Sequence, residues 1–198
     1  MAAKKRAEMM EETRRKLLAA GRKAFAEKGY AAASMDDLTA AVGLTRGALY
    51  HHFGDKLGLL AAVVAEVDGE MAAKAKSASV CADLSWESLE AQGVAYIEAA
   101  LDPETQRIVL LDGPAFLGDP SQWPSQSACL DETHEALEKL AATGLLKPVD
   151  LEAAARLLNG AALNAALWVA ASENPVQTLP KALDAFKCFA SGFLAQAR

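Results

Sequence analysis

The abundance of alanine is the feature that most constrains what this chain can fold into. Alanine accounts for 44 of the 198 residues, against 10 valines and 2 isoleucines. Alanine is the strongest helix former, whereas β-branched residues favour strands. The balance therefore predicts an all-α protein. With 52% hydrophobic and 23% charged residues, the chain can bury a core, which excludes a disordered protein.

The cysteines and the apolar runs exclude several further classes. Cys81, Cys129 and Cys188 lie far apart without a C-x-x-C pair, so neither a disulfide framework nor a zinc site is indicated. No apolar run approaches the roughly 20 residues that a membrane span requires, and the first 22 residues are too charged for a secretory signal. We therefore expect a cytoplasmic protein that contacts no membrane and uses no metal or other cofactor.

The net charge of −6 conceals an asymmetry along the chain. Residues 1–56 hold 11 basic against 7 acidic side chains, a net charge of +4, whereas residues 57–198 hold 9 against 19, a net charge of −10. A basic first third on an acidic body suggests that one end meets a polyanion. A solvated basic helix face would also explain the charge alone.

The first third of the chain contains the start and stop signals of three helices. An apolar stripe of helical period covers residues 8–28, up to a glycine that can end the helix. A capping box begins a short second helix at Ser34. Gly43 can turn the chain, and Thr45 can cap a third helix over 46–52. Two short helices joined by a glycine turn and supported by a longer one form a helix-turn-helix unit.

Helical patterns continue to the end of the chain. Asp55 can cap a fourth helix that extends towards Lys76, and a later helix is predicted to break at Gly113 and Pro114, before a loop that reaches Pro124. The last two predicted helices carry seams of small and large apolar residues, repeated at intervals of 4 and 3. The seams consist of residues 151, 155, 158, 162, 165 and 169 and of residues 179, 183, 186, 190, 193 and 197.

The segment from Gly29 to Lys56 resembles the DNA-binding signature of the TetR family of transcriptional regulators. The resemblance extends over about residues 10–60 and is strongest over 42–57. It implies a TetR-like fold with two domains. Residues 1–56 are expected to form the helix-turn-helix DNA-binding domain, and residues 57–198 a helical domain for effector binding and dimerisation.

By this resemblance the third helix reads DNA. Arg46 is the best candidate base reader, because its guanidinium can bond guanine O6 and N7 together. Ser34 stands at a helix N-terminus, which suits a phosphate. Tyr50 could instead be a half-buried core residue, and the nearby Asp36 and Asp37 must point away from DNA or cap the helix. The predicted DNA-binding residues are Ser34, Thr45, Arg46, Gly47, Tyr50, His51, His52 and Lys56. The basic residues Lys4, Lys5 and Arg6 are either a solvated tail or an added DNA contact.

The resemblance also implies an effector pocket among the middle helices. Asn164 is the most suggestive candidate, because an amide in an alanine-rich helix either fixes the register or bonds a ligand. The break after Gly113 and the loop to Pro124 are expected to form a mobile pocket wall. The candidate ligand-binding residues are Trp86, Tyr96, Phe116, Trp123, Cys129, His134, Asn164 and Trp168.

One recognition helix reads too few base pairs for useful specificity, so a dimer is expected. The resemblance implies a homodimer through the seams of the two carboxy-terminal helices, bound to a pseudo-palindromic operator in double-stranded DNA. The predicted function is a repressor released by a small, largely apolar effector. The alternatives are a DNA-binding regulator without an effector and, although no catalytic motif is present, a helical enzyme.

Overall fold

The computed structural model describes residues 2–78 and 85–195, and residues 2–4 by their backbone alone. The described part of the chain is helical almost throughout, as the alanine content predicts. The α-helices are α1 (Ala2–Ala32), α2 (Met35–Ala41), α3 (Arg46–Phe53), α4 (Lys56–Ser77), α5 (Trp86–Glu98), α6 (Pro103–Thr105), α7 (Gly113–Leu117), α8 (Pro124–Ala142), α9 (Leu151–Ala171) and α10 (Pro175–Ser191). α1 is kinked at Gly29, the glycine predicted to end it, where φ is +75°. A π-helical segment, Gln106–Asp112, joins α6 to α7. Cys81 and position 197 of the second seam lie outside the described residues.

Side-chain caps begin helices α2, α3 and α4, as predicted. The Ser34 hydroxyl accepts a hydrogen bond from the amide three residues later at 3.3 Å, and the Thr45 hydroxyl does the same at 3.2 Å. The Asp55 carboxylate accepts the equivalent bond at 2.7 Å. Gly43 makes the turn between α2 and α3 with φ +67°. Because each cap satisfies an otherwise unpaired amide, the helix-turn-helix is fixed by interactions that span only a few residues.

One hydrophobic core runs from the helix-turn-helix into the body. It contains Leu17 of α1, Leu49 of α3, Leu60 of α4, Ile108 of the π segment and Val169 of α9, all buried. α4 lies at its centre and contacts α1, α3, α5, α7, α8 and the π segment. The core is therefore continuous across the predicted domain boundary at residue 56.

The helix predicted to break at Gly113 and Pro114 does not break there. The π segment continues directly into α7, and Pro114 lies in the first turn of α7, where a missing amide costs little. The chain leaves the helix at Gly118, whose φ is +87°. The expectation was wrong because the π segment changes the hydrogen-bonding pattern of the backbone just before Pro114. The proline therefore falls in the first turn of a new helical segment rather than in the middle of one.

The two carboxy-terminal seams face the interior of the subunit. Ala155, Leu158 and Val169 of α9 are buried, as are Phe186 and Ala190 of α10. α9 packs against α5, α8 and α10, and α10 also packs against α5. The expectation that these residues form an interface between subunits is therefore wrong. Their regular spacing reflects packing within one chain, and a different face of α9 is left exposed.

Candidate nucleic-acid interface and internal cavity

The recognition helix α3 has one buried and one open face. Leu49 is fully buried against the core, which fixes the rotation of the helix. Arg46, Gly47, Tyr50 and His51 are all exposed, and their spacing of 1, 4 and 5 residues from Arg46 puts them on one side of the helix. Tyr50 is 48% exposed, so it is not the core residue that the sequence left as an alternative. Thr45 caps the helix beside this face.

The remaining predicted DNA contacts lie at the edges of that face. Ser34 caps α2 and is half-buried. His52 is half-buried and lies in a groove that Lys5 and Arg6 of α1 also line. The two cations of α1 therefore lie beside the recognition helix, and both side chains are exposed. The side chain of Lys4 lies outside the described residues.

Lys56 is held against the end of α1. Its ammonium lies 4.5 Å from the centre of the Tyr30 ring and donates a hydrogen bond to the Ala31 carbonyl oxygen at 3.3 Å. Burial lowers the pKa of Lys56. This side chain links the first residue of α4 to α1, which places its charge beside the helix-turn-helix.

Two carboxylates of α2 lie next to the cations of this surface. Asp36 Oδ1 is 3.3 Å from Arg46 Nε, and Asp37 Oδ2 is 4.0 Å from Lys28 Nζ. All four side chains are more than half exposed, so these ion pairs are weak and solvent-screened. The Arg46 guanidinium therefore lies beside an acid of the neighbouring helix.

An internal cavity of about 110 Å³ lies between α4, α5, α8, α9 and α10. Of the predicted ligand-binding residues, Trp86, Tyr96 and Cys129 line it. The lining residues that the sequence reasoning missed include Leu89, Gly93, Gln126, Asn159 and Phe186. The cavity lining as a whole comes from five helices, and no local pattern marks which side of each helix would face a shared cavity.

Several polar side chains line the cavity, among them the ion pair of Lys76 with Glu132, and some are hydrogen-bonded to each other. Gln126 Nε2 donates to the Tyr96 hydroxyl at 3.1 Å, and Thr133 Oγ1 lies 2.9 Å from Asn159 Oδ1. Trp86 Nε1 is buried and has no hydrogen-bond partner among the described residues. Burial raises the pKa of the Cys129 thiol, so this thiol is protonated at neutral pH and is a poor nucleophile.

A buried carboxylate lies behind the cavity on α4. Asp68 is 1% exposed, and the Ser125 hydroxyl of α8 donates to its Oδ2 atom in a short hydrogen bond. Its Oδ1 atom has no hydrogen-bond partner within residues 2–78 and 85–195. Burial raises the pKa of Asp68. α4 therefore carries a group whose ionisation is disfavoured by the fold.

Five predicted ligand-binding residues lie away from the cavity. Asn164 and Trp168 are exposed on the outer face of α9, and His134 lies 3.9 Å from Glu138 along α8. Phe116 packs on the Tyr30 ring with a centroid distance of 4.4 Å, and Trp123 packs against the core. The expected mobile wall from Gly113 to Pro124 does not line the cavity either. Residue type suggested these candidates, but the rotation of each helix directs them elsewhere.

Comparison with known proteins agrees with this geometry in both halves of the chain. Residues 17–63 match the family model described as bacterial regulatory proteins of the tetR family. Residues 86–193, more than half of the chain, match the model of the tetracycline repressor-like C-terminal domain. The chain belongs to the TetR family of transcriptional regulators.

The TetR-family fold extends over the whole chain in a solved structure. A TetR-family transcriptional regulator from Pectobacterium atrosepticum is 45% identical, with a TM-score of 0.87 over 96% of this chain and 98% of that one. SmeT, the repressor of the Stenotrophomonas maltophilia multidrug efflux pump SmeDEF, is 22% identical, with a TM-score of 0.65 over 93% and 91% of the two chains. At that identity SmeT shows the fold alone.

Curated TetR-family relatives match the DNA-binding end. The transcriptional repressor AcnR of Corynebacterium glutamicum is 43% identical over 60 residues, which are 30% of this chain and 32% of AcnR. The repressor Rv1474c of Mycobacterium tuberculosis is 45% identical over 62 residues, 31% and 33% of the two chains. The chain thus spans about a third of the length of these curated relatives. They are regulators of transcription, and the alternative of a helical enzyme is set aside on that ground.

No helix in the described parts of the chain combines the length and the apolar character that crossing a bilayer demands.

Proposed function

We propose that this TetR-family chain is a homodimeric repressor in the cytoplasm that binds a pseudo-palindromic operator and is released by a small, largely apolar effector. The observation that carries the proposal is the exposed face of α3, formed by Arg46, Gly47, Tyr50 and His51. This face belongs to the basic helix-turn-helix region, residues 1–56. Helix α4 connects that region directly to the internal cavity.

The open face of α3 is suited to the major groove. Gly47 lets the backbone approach the bases, Arg46 can bond a guanine edge, and Tyr50 can reach a phosphate or base edge. Lys5 and Arg6 extend the same surface, so they can neutralise backbone phosphates. Affinity that depends on such phosphate contacts falls steeply with salt. In this proposal α3 recognises the base sequence, and the surrounding cations position the protein on the DNA backbone.

The test is selection from a randomised duplex library, followed by binding to the fragments upstream of the gene itself. We expect enrichment of two inverted half-sites, one helical turn of about 10–10.5 base pairs apart or a multiple of it. Affinity should fall when either half-site is scrambled. Equal binding to selected and scrambled duplexes at every salt concentration would exclude an operator-binding repressor.

A second copy of the chain is the partner that fits the outer face of α9. Leu157, Gly160, Asn164 and Trp168 repeat at helical spacing on that face, and all four are exposed. Leu157 is 56% and Trp168 is 50% exposed. Large apolar side chains grouped on one face indicate a protein contact. On the neighbouring helix α10, Phe189 is exposed as well, so the two helices together offer a self-complementary surface for a twofold dimer.

The cavity is the effector site in this proposal, and α4 carries the signal. Ala72, Ala75 and Lys76 of α4 line the cavity, while the first turn of the same helix packs beside α3. An effector that fits better when α4 is displaced would favour the displaced state. Release then follows from that difference in affinity between the two states, because tight binding to both would shift nothing.

The size of the cavity favours a second candidate, a regulator without an effector. Ligand pockets usually measure about 300–1,000 Å³, so a cavity of about 110 Å³ must expand to hold a drug-sized molecule. A screen for small molecules that release a fluorescent operator separates the two candidates. Ala162→Phe fills the cavity and should abolish release by any active molecule while DNA affinity is kept. If no molecule releases the wild-type protein, the effector-free candidate is favoured.

A further inference from the structure

The Arg22 side chain of α1 donates hydrogen bonds to three carboxylates. Nε and Nη2 bind Glu104 at 2.8 and 2.7 Å, Nη1 and Nη2 bind Glu70 at 2.8 Å, and Nη1 binds Glu66 at 2.8 Å. These five bonds match the five N–H groups of a guanidinium. Two of the three pairs are therefore bidentate, the strongest geometry for an arginine and a carboxylate.

The three carboxylates come from two different helices. Glu66 and Glu70 lie on α4, which reaches the cavity, whereas Glu104 lies on α6, which precedes the π segment. One cation thus stands between three anions, and the Arg22 side chain is 22% exposed. The hydrogen bonds raise the pKa of Arg22, with the bonds to Glu104 as the largest cause, and the bonds from Arg22 lower the pKa of Glu70. Without Arg22, Lys74 of α4 is the cation that still acts on Glu70, and one positive charge beside three carboxylates leaves a net repulsion among them.

A second contact holds the last residues of α1, beyond a kink at Gly29 where φ is +75°. The Tyr30 amide donates to the Asp112 carboxylate at 2.6 Å, and Arg107 Nε donates to the same oxygen at 3.3 Å. Arg22 and Tyr30 lie on opposite sides of that kink. The two contacts therefore attach both sides of the kink to the rest of the chain, and Arg22 is the one that holds the long straight part of α1.

We propose that Arg22 is a positioning residue. It sets the angle between the helix-turn-helix region, residues 1–56, and the rest of the chain. The inference rests on the proposed function, because the angle matters only if two heads must match two half-sites. A displacement of α4 relative to α6 takes Glu66 and Glu70 away from Glu104, and Arg22 cannot follow both. The carboxylates then repel each other. The contact of α1 with α4 and α6 therefore has a closed state, held by Arg22, and an open state, favoured by the repulsion between the carboxylates.

The test compares Arg22→Gln, Glu104→Gln, the double variant and Arg22→Lys on the operator selected by the wild-type protein. The spacer between the half-sites is shortened by one base pair, kept, or lengthened by one or two. We expect the wild type to prefer the selected spacing by about tenfold or more, and Arg22→Gln by only about twofold to threefold. Affinity for a duplex with one half-site should stay within about twofold, because the reading face is untouched.

The double variant separates repulsion from lost packing. Glu104→Gln removes one of the repelling charges, so Arg22→Gln combined with Glu104→Gln should recover spacing preference relative to Arg22→Gln alone. Arg22→Lys keeps the positive charge but cannot bridge three carboxylates, so its spacing preference should lie between those of the wild type and Arg22→Gln. A double variant no better than Arg22→Gln, or an unchanged preference in Arg22→Gln, would overturn the proposal.

A measurement that needs no DNA tests the role of Arg22 separately from the proposed repressor function. Hydrogen exchange of the Tyr30 amide reports whether the end of α1 stays attached to Asp112. We expect Arg22→Gln to speed this exchange about tenfold or more relative to the amide of the buried Val169, with partial recovery in the double variant. Equal protection of the Tyr30 amide in wild type and Arg22→Gln would overturn the inference. Failure of the wild type to select any operator would count against the repressor instead.

Discussion

The Nε atom of Arg46 lies 3.3 Å from Oδ1 of Asp36, so the candidate base reader is paired with an acid of the neighbouring helix. Binding a guanine edge requires Arg46 to leave this partner, and the negative charge of Asp36 remains close to the DNA. Both effects oppose binding. The pairing is therefore expected to reduce affinity for the operator.

Asp36→Asn should strengthen operator binding by about threefold to tenfold, because it removes one repulsion and frees Arg46. Fluorescence anisotropy with a labelled operator measures the change. Asp37→Asn is the matched control, since it removes the same charge from the same helix while its carboxylate lies near Lys28 rather than Arg46. A gain of equal size in both variants would mean that the ion pair with Arg46 has no special effect.

Arg46→Ala should weaken binding to the selected operator by about 1–3 kcal/mol per bidentate contact, with much less loss on scrambled DNA. The side chain is 54% exposed, so the melting temperature should hardly change. Arg15→Ala removes an equal charge from an exposed position on α1 and serves as the control. Arg46 is not a base reader if its variant weakens binding to both duplexes by the same factor.

Trp168→Glu should convert the dimer into monomers of 20.8 kDa. A carboxylate at the centre of an apolar interface would be buried without a partner, which costs several kcal/mol. Light scattering after size exclusion gives the mass directly. Leu145→Glu places the same charge at another exposed apolar residue, 39% exposed and outside α9 and α10. An intact dimer of the Trp168 variant would remove the outer face of α9 from the proposed interface.

Asp68→Asn should stabilise the protein increasingly as the pH rises. Burial raises the pKa of Asp68 in the folded state above the ordinary value of 3.8, so the unfolded chain releases this proton at a lower pH than the folded one. The wild type therefore loses stability as the pH rises above about 3.8, until the folded carboxyl has also ionised. Thermal unfolding of both proteins between pH 4 and pH 8 measures the difference.

The exposed Asp131 of α8 provides the control for that experiment, because Asp131→Asn removes the same charge without the burial. A stability difference between Asp68→Asn and wild type that shrinks with rising pH would contradict the assignment of Asp68 as a carboxyl that the fold disfavours in its charged form.

The helix-turn-helix could be predicted because its determinants are local. Ser34, Thr45 and Asp55 each cap an amide three residues away, and Gly43 turns the chain by itself. The open face of α3 followed from the burial of Leu49. Such signals act within one helical turn, so a single sequence contains them in full.

The faces of α9 and the contents of the cavity could not be predicted for the converse reason. An alanine-rich helix is apolar on most of its circumference, so the stripe with Leu158 and the stripe with Leu157 both look suitable for packing. Which one is buried depends on α5, α8 and α10. The contact of Tyr30 with Asp112 joins residues 82 positions apart, and the π segment has no local signature that separates it from an α-helix.

The uninterrupted hydrophobic core has a consequence for engineering. Leu17 and Leu49 belong to the helix-turn-helix region, whereas Ile108 and Val169 belong to the second domain. All four nevertheless share a single apolar cluster. A biosensor built by grafting this reading head onto a foreign sensing module would expose one half of that cluster at the joint. A workable chimera should therefore import α4 and the π segment together with the head, so that the splice falls where the partners already match.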